Sequence, residues 1–437
     1  MFWIELIIVL AIIFWGVRVG GTFLAMAGGV GMLIMTFVLH VPASDPPITV
    51  ILIMIAVITA AACMQAAGGL DYLVKTAERI LRKHPDMITI LAPLVAWLFT
   101  FMCGTGHIIY SLLPVINEIA MESGVRPERP IASAVVTSQF AITACPISAA
   151  TVSFVGFMAA SGTVTLPTLL LVAIPATLLG SLAAGAVMLK KGKELSEDPD
   201  YLARVAAGLV TDYKLDQTED KPATPAAKIS VALFMAAMVG IVLCGVFPAL
   251  RPTFADGNQL GLTTIIQIFM LVAAALMVIL CKFKCDDILV QPVFRSGTFA
   301  ILLAFGLVML VNTFINDQSS FITENMSLLA NEYPWIFIIA VFIVGAMTTS
   351  QSSTTMIMIP IGIALNMPAN ILIAAWMCAN ANFFIPASSQ CVAALGFDSA
   401  GTTKIGKYVL NHSYMLPGMV CTVVSVVAAL LIGAAVL

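Results

Sequence analysis

The sequence predicts an all-α polytopic membrane protein, with ten membrane-spanning helices and two re-entrant hairpins arranged as an inverted repeat. Three observations carry that prediction. Of the 437 residues, 60% are hydrophobic and only 10% charged, where a soluble domain carries about a quarter charged residues. Apolar runs recur at about 20 residues, the length a helix needs to cross the hydrocarbon core. Two of those runs are broken in the same way, by a proline followed two residues later by a serine. They hold Pro146 with Ser148 and Pro386 with Ser388, 240 residues apart.

In order, the apolar runs fall near residues 3–17, 22–40, 48–67, 130–158, 166–189, 229–249, 262–281, 297–315, 369–396 and 413–436. The first, MFWIELIIVLAIIFWGV, has no basic head and no small-residue cleavage site, so it reads as an uncleaved span. The short segments of alternating polarity that a membrane β-barrel needs do not occur. Two further stretches, 87–121 and 334–366, are apolar at both ends and interrupted by CGTGH (103–107) and TTSQSSTT (348–355). Each arm has about 15 residues, too short to cross comfortably. Each stretch therefore reads as a hairpin that enters and leaves by one face.

With the N-terminus outside and both hairpins turning back, 19 of the 20 Lys and Arg residues face the cytoplasm, and only Arg251 lies outside. That distribution follows the positive-inside bias of membrane proteins and puts both termini in the periplasm. A pair of crossing helices in place of either hairpin preserves the same parity, so arm length and tip composition, not charge, favour hairpins. The long polar segment 190–228 holds seven basic residues. It reads as a cytoplasmic linker between a first repeat, 1–189, and a second, 229–437, and shows no catalytic motif.

The halves match in layout. Pairing Gly104 with Ser350 sets the hairpin tips 246 residues apart, the same spacing as the hairpin prolines Pro114 and Pro360. Each half has five spans with the hairpin fourth in order, and the second half begins on the opposite face. Inverted repeats with paired discontinuous helices are the architecture of secondary transporters. The reason is physical. A proline removes a backbone donor and crowds the preceding turn, leaving peptide groups that hydrocarbon cannot satisfy. Such groups persist where they line a polar cavity, and a half-helix that starts after the break offers free N–H groups and partial positive charge to an anion.

All 23 acidic residues fall in loops or near span ends, Glu118 being nearest to an exception. A proton relay built on intramembrane carboxylates is thereby disfavoured, and recognition is left to hydroxyls, amides and backbone. The candidates are Thr105, Gly106 and His107 at the first tip and Ser350, Ser352 and Ser353 at the second. Thr143, Pro146 and Ser148 stand at the first break; Asn382, Pro386, Ser388 and Ser389 stand at the second. Ser138 and Asn380 lie in the same stretches. Asn380 and Asn382 fall on opposite sides of a regular helix, so only one should face the site unless the backbone unwinds. His107 has two readings: a donor to an anionic ligand that titrates near neutral pH, or a permanently neutral tip residue. The nine cysteines are scattered and read as small buried hydrophobes. No nucleophile–base pair, Cys/His set or P-loop points to an enzyme or an ATP-driven pump, and no cofactor is expected. The net charge of −3 and the lack of a basic stripe argue against nucleic acid. A bound metal such as sodium stays open, because carbonyls and Asn side chains can hold it without a carboxylate.

Four stretches carry a resemblance: AAGGLDYLVKTAERILRKHP (66–85), CGTGHIIYSLLPVI (103–116), RPERPIASAVVTSQFAITACPISAA (126–150) and FDSAGTTKIGKYVLNHSYMLPG (397–418). On these the chain resembles, nearly end to end, the anaerobic four-carbon dicarboxylate uptake family (Dcu) of the ion-transporter superfamily. The resemblance implies a carrier in the bacterial inner membrane that exchanges fumarate, malate or aspartate for succinate. It implies small dicarboxylates and the lipid bilayer as partners, a homodimer, and for some members association with a membrane sensor kinase. Superfamily relatives bind dicarboxylates between two hairpin tips and two unwound helices. The chain departs from the family pattern at IPASSQ (385–390), where a Leu-Pro-Thr-Tyr-Pro run is frequent, and at SQSSTT (350–355), richer in hydroxyls than the Ser-Gln-Ala-Ala of relatives. Those departures imply an altered preference within the class. A carrier of gluconate, lactate or citrate on the same scaffold is one alternative, and an anion channel is another.

Overall fold

The computed structural model describes residues 1–19, 22–161, 164–210, 224–255, 257–321, 332–386, 388–406 and 410–437. Regular structure among them is helical, with one isolated antiparallel bridge, Thr253 to Gln259. The main helices are α1 (Phe2–Val19), α2 (Phe23–Leu33, continued by a π-turn over Ile34–Val38), α3 (Ile48–Ala66), α4 (Gly69–Lys83), α5 (Ile88–Cys103), α6 (Ile109–Glu122), α7 (Glu128–Ala144), α8 (Ala149–Ser161) and α9 (Leu166–Met188). They continue as α10 (Pro199–Ala206), α11 (Pro225–Val246), α12 (Leu262–Cys281), α13 (Pro292–Asp317), α14 (Pro334–Thr348), α15 (Gln351–Ala364), α16 (Ala369–Trp376), α17 (Ser389–Phe397) and α18 (Met415–Val436).

Eight helical stretches among the described residues, with α7 and α8 counted together as Glu128–Ala159, are long and apolar enough to cross a membrane, so the chain is a multi-pass, all-helical membrane protein. Seven coincide with apolar runs of the sequence. The eighth, Pro85–Cys103, lies in a stretch expected to be a hairpin. Its extra length comes from a 3₁₀ turn at Pro85–Met87 that leads straight into α5. The first two runs form shorter apolar helices, Phe2–Gly16 and Phe23–Val38. The run at 369–396 is divided into α16, a 3₁₀ segment over Met377–Phe383, and α17.

Helix starts follow local chemistry. Thr165 and Thr224 accept backbone N–H groups from Thr168 and Ala227, with Pro167 and Pro225 in the first turns of α9 and α11, where a missing N–H costs nothing. The polar helix α4 buries Leu73, Ala77 and Leu81 at four-residue spacing. Its Arg82 bridges Glu78 at 2.9 Å and Glu118 of α6 at 2.7 Å.

Two packed groups frame the centre. In one, α7 lies against α5 and α9, and α9 runs along α18; in the other, α13 lies against α2 and α3, and α12 against α3 and α11. The α2–α13 crossing brings backbone onto backbone. A Cβ on Gly306 would meet the Ala25 carbonyl oxygen at 2.1 Å, so only glycine fits there. Large apolar side chains such as Trp3, Phe14, Phe37, Ile279 and Leu431 are exposed on the outside, where lipid takes the place of water.

Candidate functional site

Four helix starts build the site, and each carries a hydroxyl cap. After Gly104 in the left-handed region (φ 70, ψ 10), Thr105 is extended (φ −146, ψ 138) and its Oγ1 accepts the His107 N–H at 3.3 Å. After Thr349, also left-handed (φ 50, ψ 25), Ser350 is extended (φ −146, ψ 120) and its Oγ accepts the Ser353 N–H at 3.3 Å. The two tips therefore share one backbone course. They align Thr105 with Ser350, 245 residues apart, one residue off the 246 spacing read from the sequence.

The breaks correspond as well. Pro146 cannot donate to the Ile142 carbonyl four residues earlier, and the Ser148 hydroxyl fills that place at 2.6 Å. The same Ser148 Oγ caps α8 by accepting the Thr151 N–H at 3.1 Å. At the second break Ser388 Oγ caps α17 by accepting the Cys391 N–H at 3.4 Å. The backbone has already left the α-helix before Pro386, from Met377 on. A 3₁₀ helix has three residues per turn, which brings Asn380 and Asn382 closer to one face than an α-helix would. Both reach α7: Asn380 Nδ2 donates to Thr143 Oγ1 at 3.0 Å, and Asn382 Nδ2 donates to Gln139 Oε1 at 3.0 Å.

Gln139 ties these parts together. Its Oε1 also accepts Gln351 Nε2 from the second tip at 3.0 Å, and a Cβ on Gly106 of the first tip would stand 3.0 Å from its Nε2. One buried amide thus touches both tips and the second break. His107 stacks on Tyr110, with ring centroids 5.9 Å apart and planes 19° apart.

A cavity of about 630 Å³ opens between these elements. One wall is apolar, made by Val57, Ile58 and Ala61 of α3 with Gly297, Phe299 and Ala300 of α13. The opposite wall is polar and holds seven of the residues expected from the sequence: Thr105, Gly106, His107, Ser350, Ser352, Ser388 and Ser389. The other six, Thr143, Pro146, Ser148, Ser353, Asn382 and Pro386, are not among the lining residues. Of these, Ser148 spends its hydroxyl on backbone, and Thr143 accepts from Asn380. Gln351, within the second tip, also lines the cavity, as do Gln139 and Gln390, which were not expected to. No lysine, arginine, aspartate or glutamate is among the lining residues. No group of three or more His, Cys, Asp or Glu side chains suited to a metal occurs among the described residues. Asn380 Oδ1, Asn382 Oδ1 and Ser353 Oγ are buried without a hydrogen-bond partner; they are the neutral oxygens a monovalent cation could use.

Over residues 1–437 the chain matches the family described as anaerobic c4-dicarboxylate membrane transporter. It is 35% identical to the anaerobic C4-dicarboxylate transporter DcuB of Escherichia coli O157:H7, over 98% of this chain and 97% of that protein. It is 38% identical to the C4-dicarboxylate transporter DcuA of Helicobacter pylori, over 97% of this chain and 96% of the relative. Identity to the DcuA of Escherichia coli K12 is also 38%, over 98% of each chain.

Proposed function

Because this chain belongs to the anaerobic C4-dicarboxylate membrane transporter family, whose members are transporters and not enzymes, we propose that its central cavity holds a four-carbon dicarboxylate. We further infer that the protein exchanges such anions across the bacterial inner membrane by alternating access. Fumarate, succinate, malate and aspartate are the substrates the cavity would take. The observation that carries this reading is the convergence of four capped helix starts on one chamber. Gly106, Ala149, Gln351 and Ser389, each the residue after a hydroxyl cap, all line it. A helix N-terminus carries roughly half a positive charge, so four bring about +2, the complement of a dicarboxylate dianion. A site of this kind needs no lysine or arginine. The apolar wall of α3 and α13 suits the short carbon chain between the carboxylates.

The matched caps support a repeat of 1–189 in 229–437 with 190–228 as its linker, while its inversion, the ten spans, two re-entrant hairpins and periplasmic termini rest on run lengths and the distribution of Lys and Arg. A homodimer is the assembly that the family resemblance implies. Release and rebinding at the opposite face would follow from moving the polar wall against the apolar one. Exchange is favoured over net uptake because an empty chamber leaves four positive helix ends unneutralised in a low-dielectric surround.

The experiment is counterflow in liposomes. Purified protein loaded with unlabelled fumarate should accumulate labelled succinate, without electrical current of channel size, and unlabelled succinate should compete. Parallel runs with and without sodium test whether the unpartnered oxygens near Asn380 hold a coupling ion. Accumulation of gluconate or lactate with no effect of succinate would overturn the dicarboxylate reading.

A further inference from the structure

The stretches 126–130 and 397–414 mark the family resemblance, yet none of their described residues lines the cavity. The structure brings them together on the far side of the second break. Asp398, buried, accepts the Gly401 N–H at 2.9 Å and the Thr402 hydroxyl at 2.8 Å, which shapes the start of the loop between α17 and α18. That loop is fastened to the first half. Asn117 of α6 donates to Ser399 Oγ at 3.0 Å, and the Glu128 N–H donates to Thr402 Oγ1 at 3.0 Å. Ser413 Oγ donates to the Glu128 carboxylate at 2.7 Å and accepts the Lys404 N–H at 3.0 Å. Glu128 in turn accepts from Arg126 at 2.8 Å.

The end of the loop grips the break. His412 Nε2 stands 3.2 Å from the carbonyl oxygen of Phe384, two residues before Pro386. A carbonyl only accepts, so that nitrogen carries the proton. Two residues on, the Tyr414 hydroxyl donates to the Cys391 carbonyl at 2.7 Å, in the first turn of α17. Both side chains are buried, His412 at 7% exposure and Tyr414 at 0%. The two bonds straddle Ser388, Ser389 and Gln390, the residues that the second break presents to the cavity. Among the described residues, the first break is held from within, by Ser148 and Thr151 on the Ile142 carbonyl.

We propose that His412, with Tyr414, is a positioning residue for transport. It fixes the Phe384 carbonyl and so sets where Ser388, Ser389 and Gln390 meet the substrate, without touching the substrate itself. The proposal rests on the reading of the cavity as a dicarboxylate site. Anchored through Ser413 to Glu128, the loop holds the second break in register with the start of α7, which carries Gln139 and the first break.

The test is saturation kinetics of succinate counterflow with reconstituted unsubstituted protein, His412→Leu, His412→Gln and Tyr414→Phe. His412→Leu should raise KM roughly fivefold to tenfold, the factor one net hydrogen bond supports, with a smaller change in maximal rate. His412→Gln keeps an N–H donor and should bring KM back toward the unsubstituted value. If His412→Leu fails to accumulate, Tyr414→Phe, which deletes one oxygen from the same grip, is read in the same way. An unchanged KM in the variant that folds, or equal losses in His412→Leu and His412→Gln, would overturn the positioning role. No saturable succinate uptake by the unsubstituted protein would instead overturn the dicarboxylate reading, and this proposal with it.

Discussion

Ser148 and Ser388 stand in matching places, yet alanine at each should do different things. The Ser148 hydroxyl donates to the carbonyl that Pro146 leaves without its helical partner and also caps α8. Losing a cap costs about 1 kcal/mol, and losing a net hydrogen bond to a buried carbonyl costs about another 1 kcal/mol. Thr151 Oγ1 is already 3.2 Å from the same carbonyl and would recover part of the second loss. Ser148→Ala should therefore destabilise by about 1–2 kcal/mol and leave KM for succinate nearly unchanged. Ser388 lines the cavity, and its cap bond is long at 3.4 Å. Ser388→Ala should cost under about 1 kcal/mol of stability but raise KM about tenfold or more, as expected for a hydrogen bond to a charged group. Melting curves in detergent and counterflow kinetics on the same preparations separate the two effects. The reverse pattern, with Ser388→Ala altering only stability and Ser148→Ala only KM, would refute the division of labour between backbone repair and ligand contact.

Three further outcomes follow from the site. Gln139→Glu keeps an acceptor for Asn382 and Gln351 but places a negative charge beside the chamber, so KM for succinate at neutral pH should rise by at least about tenfold, measured by counterflow. Gly104→Ala puts a side chain in the left-handed region, with its Cβ 3.2 Å from Ile147. It should lower the melting temperature, whereas Thr349→Gly relieves a left-handed β-branched residue worth about 1–2 kcal/mol and should not. At the linker, hydrogen bonding to the Arg126 guanidinium holds the Asp198 carboxyl below its ordinary value. Its stabilising contribution is then full above the unfolded value of about 4 and lost as pH falls through the lower folded value. Asp198→Asn should melt lower at neutral pH and show a flatter decline below about pH 4, read by thermal scans across pH.

Much of the architecture was legible because its signals are chemical. Prolines within apolar runs mark Pro146 and Pro386, and small hydroxyl-rich interruptions mark both tips. Helix length was less legible: the 3₁₀ turn at Pro85–Met87 lengthens the helical stretch that ends in α5, and a propensity reading gives no reason to join it to α5. The unwinding from Met377 precedes its proline and has no local sequence cause, so the shared direction of Asn380 and Asn382 could only be stated as a condition. Gln139 was missed because a lone amide in an apolar run looks like any interhelical polar contact, whereas Gln351 and Gln390 lie inside the tip and the break already marked by their hydroxyls. The one signal available was that Gln139 sits one helical turn before Thr143, on the face that the CPIS break also serves. Thr349 was invisible as a left-handed residue, since a β-branched side chain there defies the usual preference for glycine.

The most direct test is a cryo-electron microscopy structure with succinate bound. The expected map shows helices interrupted at Pro146 and Pro386, with one carboxylate near the amides of Gly106 and Ala149 and the other near Gln351 and Ser389. Continuous helices through both prolines, or succinate seated on a lysine or arginine elsewhere, would contradict recognition of the dianion by neutral helix ends.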